Sequence, residues 1–317
     1  MIEKFYFYIS AKTNPYHNLA VETALLEGLE DNALILYLWQ NDCSVVIGKN
    51  QNPWAECRVR EIIADGAFIA RRITGGGAVF HDLGNLNFTF ISGREDLSIE
   101  RNMEVIKSAL LKEGISSSLS GRNDLLVDGK KVSGSAYYYG GGKAYHHGTL
   151  LVLTDSHKME HYLTPSYEKL SSKGVKSVSS RVMNLWEVNS GVTPKSLSER
   201  IIAAAEEIFS LKAEKIKAPL EGRVKELEAK YSNWEFVFGE TAEFSVSVSG
   251  RFSWGNAEVL LKVEKGVITG ARVFSDALDT ELPESIETKL VGVNYEKEAL
   301  ERVLISEKER EVLSLFN

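Results

Sequence analysis

The chain has 317 residues, 44% of them hydrophobic and 26% charged, which is a globular composition able to bury a sizeable core and excludes disordered and fibrous classes. Its formal net charge of -7 disfavours electrostatic binding to bulk nucleic acid. No apolar run approaches the roughly 18 residues of a membrane span, and the N-terminus does not read as a signal peptide. Its two cysteines, Cys43 and Cys57, have no metal-ligand spacing, so the expectation is a cytoplasmic protein without a structural metal.

The expected elements begin with a strand over Phe5 to Ile9 and a helix opened by Pro15, with Leu19, Ala20, Thr23, Leu26 and Leu29 at helical spacing. Strands follow at Ala33 to Trp39 and Ser44 to Gly48, separated by an Asn41-Asp42 turn, and at Ala67 to Arg72 and Leu86 to Ser92. Asn102 to Glu113 reads as an amphipathic helix ended by Gly114. Further strands are expected at Asp124 to Val127, Lys131 to Tyr138 and Gly148 to Leu153, and helices at Ser198 to Leu211 and Glu221 to Tyr231. The remainder changes character, with strands at Phe244 to Val248, Ala257 to Glu264 and Val267 to Phe274 and two closing helices. The fold class is therefore α+β, with one domain over residues 1–243, built on mixed sheets, and a small α+β domain over residues 244–317.

Two segments carry chemistry. In RRITGGGAVFHDLGN (Arg71 to Asn85), three successive glycines cost conformational entropy unless the backbone needs unusual dihedrals or a ligand must approach closely. Such a loop reads either as an ordinary turn or as an anion-binding nest served by Arg71 and Arg72, with His81 and Asp82 beside it. In GRNDLLVDGKKVSGSA (Gly121 to Ala136), an Asp128-Gly129 turn returns Lys131 towards Asp124. A lysine beside a turn is commonly a solvated surface residue. The small residues Ser133, Gly134, Ser135 and Ala136 that follow Lys131 would let a ligand lie along this strand, whereas Lys130 has the bland reading. His146 and His147 read either as site residues or as a tautomer-locked pair.

These segments, together with IGKNQNPWAEC, YHHGTLLV, NLAVE, KGVKSVSSRVMNL, WEFVFG and FSWGNAEVLLKVEKGVITGARVFSD, are colinear with and resemble the lipoate-protein ligase A family over nearly the whole chain. The last block corresponds to the accessory domain of its bacterial long form. The resemblance implies a fold shared with biotin ligases, ATP and lipoate as substrates, magnesium arriving with ATP and bound in part by Asp124, apo lipoyl carrier domains as partners, and a monomer. It implies that Lys131 contacts both the acyl carbonyl and the α-phosphate. It puts Arg72, Gly77, Ala78, Val79, Phe80, Asn123, Asp124, Lys131 and Ser135 at the nucleotide. Glu22, Trp39, Arg72, Gly75, Gly76, His81, Lys131 and His147 fall at the lipoyl chain, and Lys49 lies in a matching segment of the cleft. Gly140 to Gly142 are expected in a mobile loop over the adenylate. The main rival of the same fold, an octanoyltransferase with a thioester on cysteine, finds no cysteine after position 57. A biotin ligase, whose G-R-G-R-x-x-R loop is replaced here by the triple glycine, a transferase limited to preformed acyl-adenylate and a module that binds without catalysis are the other readings.

Overall fold

The computed structural model describes residues 2–121, 124–164, 182–238, 246–264 and 266–316. Eight strands form the main sheet in the order β11-β1-β2-β6-β10-β9-β8-β7: β1 (Lys4–Ile9), β2 (Ala33–Trp39), β6 (Asn85–Gly93), β7 (Ser118–Ser120), β8 (Asp124–Val127), β9 (Lys130–Gly140), β10 (Lys143–Leu151) and β11 (Ala213–Lys215). The β1 strand is parallel to β2 and β11, and the other pairings are antiparallel.

The continuous apolar run of β2 is buried on both faces, as a central strand requires. Alternation divides its neighbours. Leu86, Phe88 and Phe90 of β6 join Leu34, Leu36 and Leu38 in a core covered by the Ile99–Lys112 and Pro194–Phe209 helices. Tyr37, Trp39, Ile91 and Tyr145 face the other way, under the Pro15–Glu27 and Glu221–Tyr231 helices. Each fully buried Leu or Phe here contributes about 1.5–3 kcal/mol, so both helical layers are fixed to the sheet. A second sheet, in the order β4-β3-β5 (β3, Ser44–Ile47; β4, Phe68–Arg71; β5, Val79–His81), buries Val45, Ile47, Ile69 and Phe80 in its own core and turns Val46 and Ala70 to the main sheet.

Residues 246–316 carry a separate antiparallel sheet, β12 (Val246–Phe252), β13 (Gly255–Glu264) and β14 (Val267–Ser275), packed by Val259, Leu261 and Val273 against the Leu282–Leu290 helix. The division expected between residues 243 and 244 lies outside the described residues.

Several expectations need correction. Gly140 ends β9, and Gly141 and Gly142, at φ 59° and 76°, form a two-residue turn that pairs Gly140 with Lys143. This region is a tight β9–β10 hairpin and not a covering loop, because consecutive positive φ values match the twist of the strands. In consequence β10 starts at Lys143, and His146 and His147 lie mid-strand. The C-terminus has three α-helices, Leu282–Leu290, Lys297–Val303 and Glu307–Leu313, the last started by a Ser306–Glu309 capping box. Helix Ser156–Tyr162, capped by Asp155, and the short strands β5, β7 and β11 were not anticipated.

Candidate active site

Between the buried face of the main sheet and the small sheet lies a cleft of about 120 Å³. Its walls bring together Arg72, Gly76, Gly77, Ala78, Val79 and His81 from the glycine-rich segment, Lys131 and Ser135 from β9, Trp39 from β2 and His147 from β10. Of the other residues nominated from sequence, Gly75, Glu22, Lys49, Asp124 and Phe80 stand outside this lining. Alternation along β5 accounts for Phe80, which is buried in the small sheet's own core while Val79 and His81 face the cleft. Asn123 lies outside the described residues.

Lys131 Nζ is 2.8 Å from Asp124 Oδ1, so the hairpin does return it to its predicted partner. The ammonium lies over Gly134. A Cβ built there would stand 2.7 Å from Nζ and 3.0 Å from Cε. Gly134 is therefore the position that lets Lys131 extend along its own strand into the cleft. Because Nζ is the end of a flexible side chain, Gly134→Ala is expected to leave the melting temperature nearly unchanged while displacing the ammonium. We expect turnover at the cleft to fall about tenfold, within the cost of displacing a reacting group by up to an ångström. A Gly134→Ala protein with parental turnover would show that this placement is irrelevant.

A directional chain of buried polar groups passes behind the cleft. Trp39 Nε1 donates to Thr89 Oγ1 at 3.1 Å, and Thr89 Oγ1 donates to Glu22 Oε1 at 2.7 Å. From the other side, Arg72 Nε donates to Thr74 Oγ1 at 2.9 Å, which leaves the Thr74 hydroxyl to donate to His147 Nε2 at 2.9 Å. His147 must then carry its proton on Nδ1, donated to Glu22 Oε1 at 2.9 Å. Thr89 and His147 thus converge on the buried Glu22 carboxylate, which lies outside the lining, with Trp39, Thr74 and Arg72 linked behind them. The tautomer-locked reading holds for His147. Its neighbour His146 points to the opposite core, against Phe88, with neither ring nitrogen partnered among the described residues.

Among the described residues Arg72 forms no ion pair with a carboxylate. Its guanidinium is wrapped by the carbonyls of Val46, Gly75 and Gly77 and by Thr74, and burial lowers it to about 10. Gly76 has φ 87°, and a Cβ there would stand 3.0 Å from Arg72 Nη2, so both the turn and the packed arginine require glycine. Arg71 points away from the cleft and donates to the carbonyls of Gly48, Lys49, Gln51, Phe236 and Val237, which makes it a structural staple.

The small domain reaches this site. Gly76 N donates to Ala277 O at 3.2 Å, Ser275 N to Asn50 O at 2.6 Å, and Asn50 Nδ2 to Thr280 O at 2.9 Å. The amide of the middle glycine, a candidate anion ligand, is thereby occupied by a carbonyl of the accessory domain. Sequence reasoning did not anticipate Thr74, Asn87, Thr89 or Thr149, whereas Gly134 was expected among the small residues that follow Lys131.

Residues 14–206 match the lipoyl protein ligase A/B catalytic domain, and residues 241–312 match the bacterial lipoate protein ligase C-terminus, which defines the class as a catalytic domain joined to an accessory one. Lipoate-protein ligase A from Psychrobacter cryohalolentis is 43% identical over 298 residues, 91% of this chain and 88% of the relative. That from Bdellovibrio bacteriovorus is 39% identical over 314 residues, 96% and 93% of the two chains. Among solved structures, P. falciparum LipL1 in complex with lipoate superposes with a TM-score of 0.86 at 29% identity, covering 98% of each chain. A lipoate-protein ligase A bound with ATP has a TM-score of 0.66 at 25% identity, covering 75% of this chain and 99% of its own. The chain belongs to the lipoate-protein ligase A family.

Proposed function

We propose that this protein activates lipoate with ATP and transfers the lipoyl group to a lysine of apo lipoyl domains, such as those of 2-oxoacid dehydrogenase E2 subunits and the glycine cleavage H protein. The observation that carries the reading is the Lys131 ammonium laid over Gly134 within a cleft walled by the glycine-rich segment. In the first step a carboxylate oxygen of lipoate attacks the α-phosphorus of ATP and pyrophosphate leaves. In the second the carrier lysine attacks the acyl carbonyl, loses a proton, and AMP leaves. Both steps build negative charge, first on phosphoryl oxygens and then on the carbonyl oxygen. One fixed ammonium between them lowers both barriers.

Magnesium would enter with ATP and neutralise phosphate charge. Among the described residues no three His, Cys, Asp or Glu side chains converge on one point, so the chain would contribute Asp124 and not a full cage. The octanoyltransferase alternative needs a reactive thiol at the cleft. Cys43 and Cys57 are outside its lining, and burial pushes the Cys57 thiol up to about 12.

The test uses the purified chain with ATP, magnesium and lipoate, followed by an apo lipoyl domain. Pyrophosphate release and a lipoyl mass increase on the carrier are the expected results. Transfer from supplied lipoyl-adenylate without pyrophosphate release would leave only the transferase reading.

The cleft, at about 120 Å³, is far smaller than the roughly 300–1,000 Å³ of ordinary ligand pockets, so it must open to admit an acyl-adenylate. The accessory domain is the part that would move. Its hydrogen bonds to Asn50 and Gly76 are few, and Arg272 lies near enough to the buried Arg71 to oppose that residue's charge. An adenylate that uses the Gly76 amide competes directly with Ala277. Small-angle scattering is expected to change on saturation with a non-hydrolysable lipoyl-adenylate analogue, and an unchanged profile would establish a rigid cap instead.

A further inference from the structure

Outside the cleft, three chain segments are sewn side by side at its rim. The amides of Val152 and Leu153 donate to Gly84 O at 3.0 and 2.9 Å, and the Trp186 amide donates to Val152 O at 3.0 Å. Asn184 Oδ1 accepts from the Thr154 amide at 2.8 Å, and its Nδ2 donates to Thr154 O at 2.9 Å. Gly84 permits the approach, since a Cβ there would overlap the Leu153 carbonyl. The seam buries Val152 and Leu185 in the core and leaves Leu83, Leu153 and Trp186 53%, 56% and 45% exposed. A single exposed leucine is ordinary. Two leucines and a tryptophan rooted on adjoining backbones make a patch of the kind that marks an interaction surface, where tryptophan commonly carries much of the binding energy.

Three routes tie this patch to the site. Leu83 follows the cleft residue His81 by two positions, and Leu153 follows the cleft residue Thr149 by four, just past the end of β10. Trp186 follows Val182 by four, and Val182 pairs with Lys131, whose carbonyl accepts from the Met183 amide at 3.0 Å. Four residues span at most about 14 Å. The Lys131 side chain is only 29% exposed, so an amine that attacks an acyl carbonyl beside it must extend inward from a backbone that stays outside. The flanks of that backbone come down on the rim.

The rim is also charged. Its segments and the Ser156–Tyr162 helix bring Asp82, Asp155 and Glu187 together against one lysine, Lys158. Asp82 accepts from the Gly84 and Asp155 amides at 2.9 and 2.8 Å, Asp155 from the His157 and Lys158 amides at 3.0 Å each, and Glu187 from the Asn184 amide at 2.9 Å. Backbone amides thus hold these carboxylates in place, and none of the three forms an ion pair among the described residues. A lysine-bearing partner is attracted to such a rim, and a second copy of this acidic rim is repelled.

We infer that Leu83, Leu153 and Trp186 form the docking surface for the lysine-bearing turn of the carrier domain, whose apolar flank covers the patch while its basic edge faces Asp82, Asp155 and Glu187. This role rests on the proposed transfer to a carrier lysine and adds the surface that recognises the carrier. Only the second half-reaction should depend on it.

The experiment follows both half-reactions in Leu153→Asp and Trp186→Asp proteins, with Leu220→Asp, at a position 83% exposed and outside this rim, as control. Pyrophosphate release from ATP and lipoate should stay parental in all three, which also reports that they are folded. In transfer from supplied lipoyl-adenylate to an apo lipoyl domain, KM for the carrier should rise about tenfold or more in the two patch variants, with kcat changed less than about twofold. Leu220→Asp should keep the parental KM. Transfer to Nα-acetyl-lysine, which has no flank to dock, should be the same in every protein. Glu187→Gln keeps an oxygen for the Asn184 amide, and should raise the carrier KM about twofold at low salt and not at high salt. An unchanged carrier KM in both patch variants overturns the inference, as does an equal loss with Nα-acetyl-lysine, which would put the effect in the cleft. A parent that sediments as a dimer and comes apart in Trp186→Asp, with carrier KM unchanged, gives the patch to a second copy and overturns it too. Failure of the ligase reading looks different, because the parent itself would then release no pyrophosphate. If the parent modifies no carrier, the docking role falls with the transfer step.

Discussion

Replacing Lys131 with alanine is expected to slow adenylate formation and lipoyl transfer each by between about 100- and 1000-fold, the range for losing one preorganised donor to a developing oxyanion. The side chain is partly buried and pairs with Asp124 at 2.8 Å, so its removal leaves that carboxylate with one charged partner fewer but opens no large core cavity. Stability should therefore change little and the loss should fall on rate. The two half-reactions are separable: pyrophosphate release reports the first, and transfer from supplied lipoyl-adenylate to an apo carrier domain reports the second. A loss in both assigns Lys131 to both charge-building steps. A Lys131→Ala protein that formed lipoyl-adenylate at the parental rate would remove the residue from the first. Comparison with Gly134→Ala adds a control, since that change keeps the ammonium and alters only where it lies.

What could be read from the sequence follows the range of the interactions involved. The β8–β9 hairpin was legible because Asp128 and Gly129 take positive φ at the turn, and a local turn determines that Lys131 comes back to Asp124. The Glu221–Tyr231 helix has the bounds that its pattern indicated. The support behind the cleft was not legible. Glu22 meets His147 across 125 positions and Thr74 meets His147 across 73, and no local pattern specifies which distant strand a buried carboxylate will face. Asn87 and Thr89 looked like the polar half of an ordinary alternating strand, and only the antiparallel register beside Trp39 and His147 makes them part of the site. Two of the misread regions had readable signals. The Ser306–Glu309 capping box marks a helix start, and Asp155 is a strong N-cap accepting from the amides of His157 and Lys158.

Acid should destabilise this fold well before its carboxylates titrate. Burial holds both His81 and His146 to about 3 in the folded protein, against an ordinary value of 6.5. Because the folded-state values are depressed, the unfolded chain binds protons first as the pH drops. The stability concerned is complete above about 6.5 and is lost as the pH falls from there towards 3. Between pH 7 and 5 each histidine costs about 2 kcal/mol of unfolding free energy, at roughly 1.4 kcal/mol per pH unit below the unfolded value. Glu309 contributes little in this window. Burial opposes its charge, but Lys289, Ser285 and backbone amides hold it to about 2, so its contribution is lost only below about 4.5. The pair should therefore remove about 4 kcal/mol by pH 5, read as a shift in urea midpoint. His146 offers the clean dissection, because neither ring nitrogen has a partner among the described residues and the ring packs on Phe88 in an apolar core. In His146→Leu the loss between pH 7 and 5 should fall by about half, and stability at pH 7 should hold or rise as two orphaned polar atoms leave the core. An acid limb identical in parent and variant would mean that His146 is hydrated or partnered in the native state, and the burial argument would then fail for His81 by the same measure.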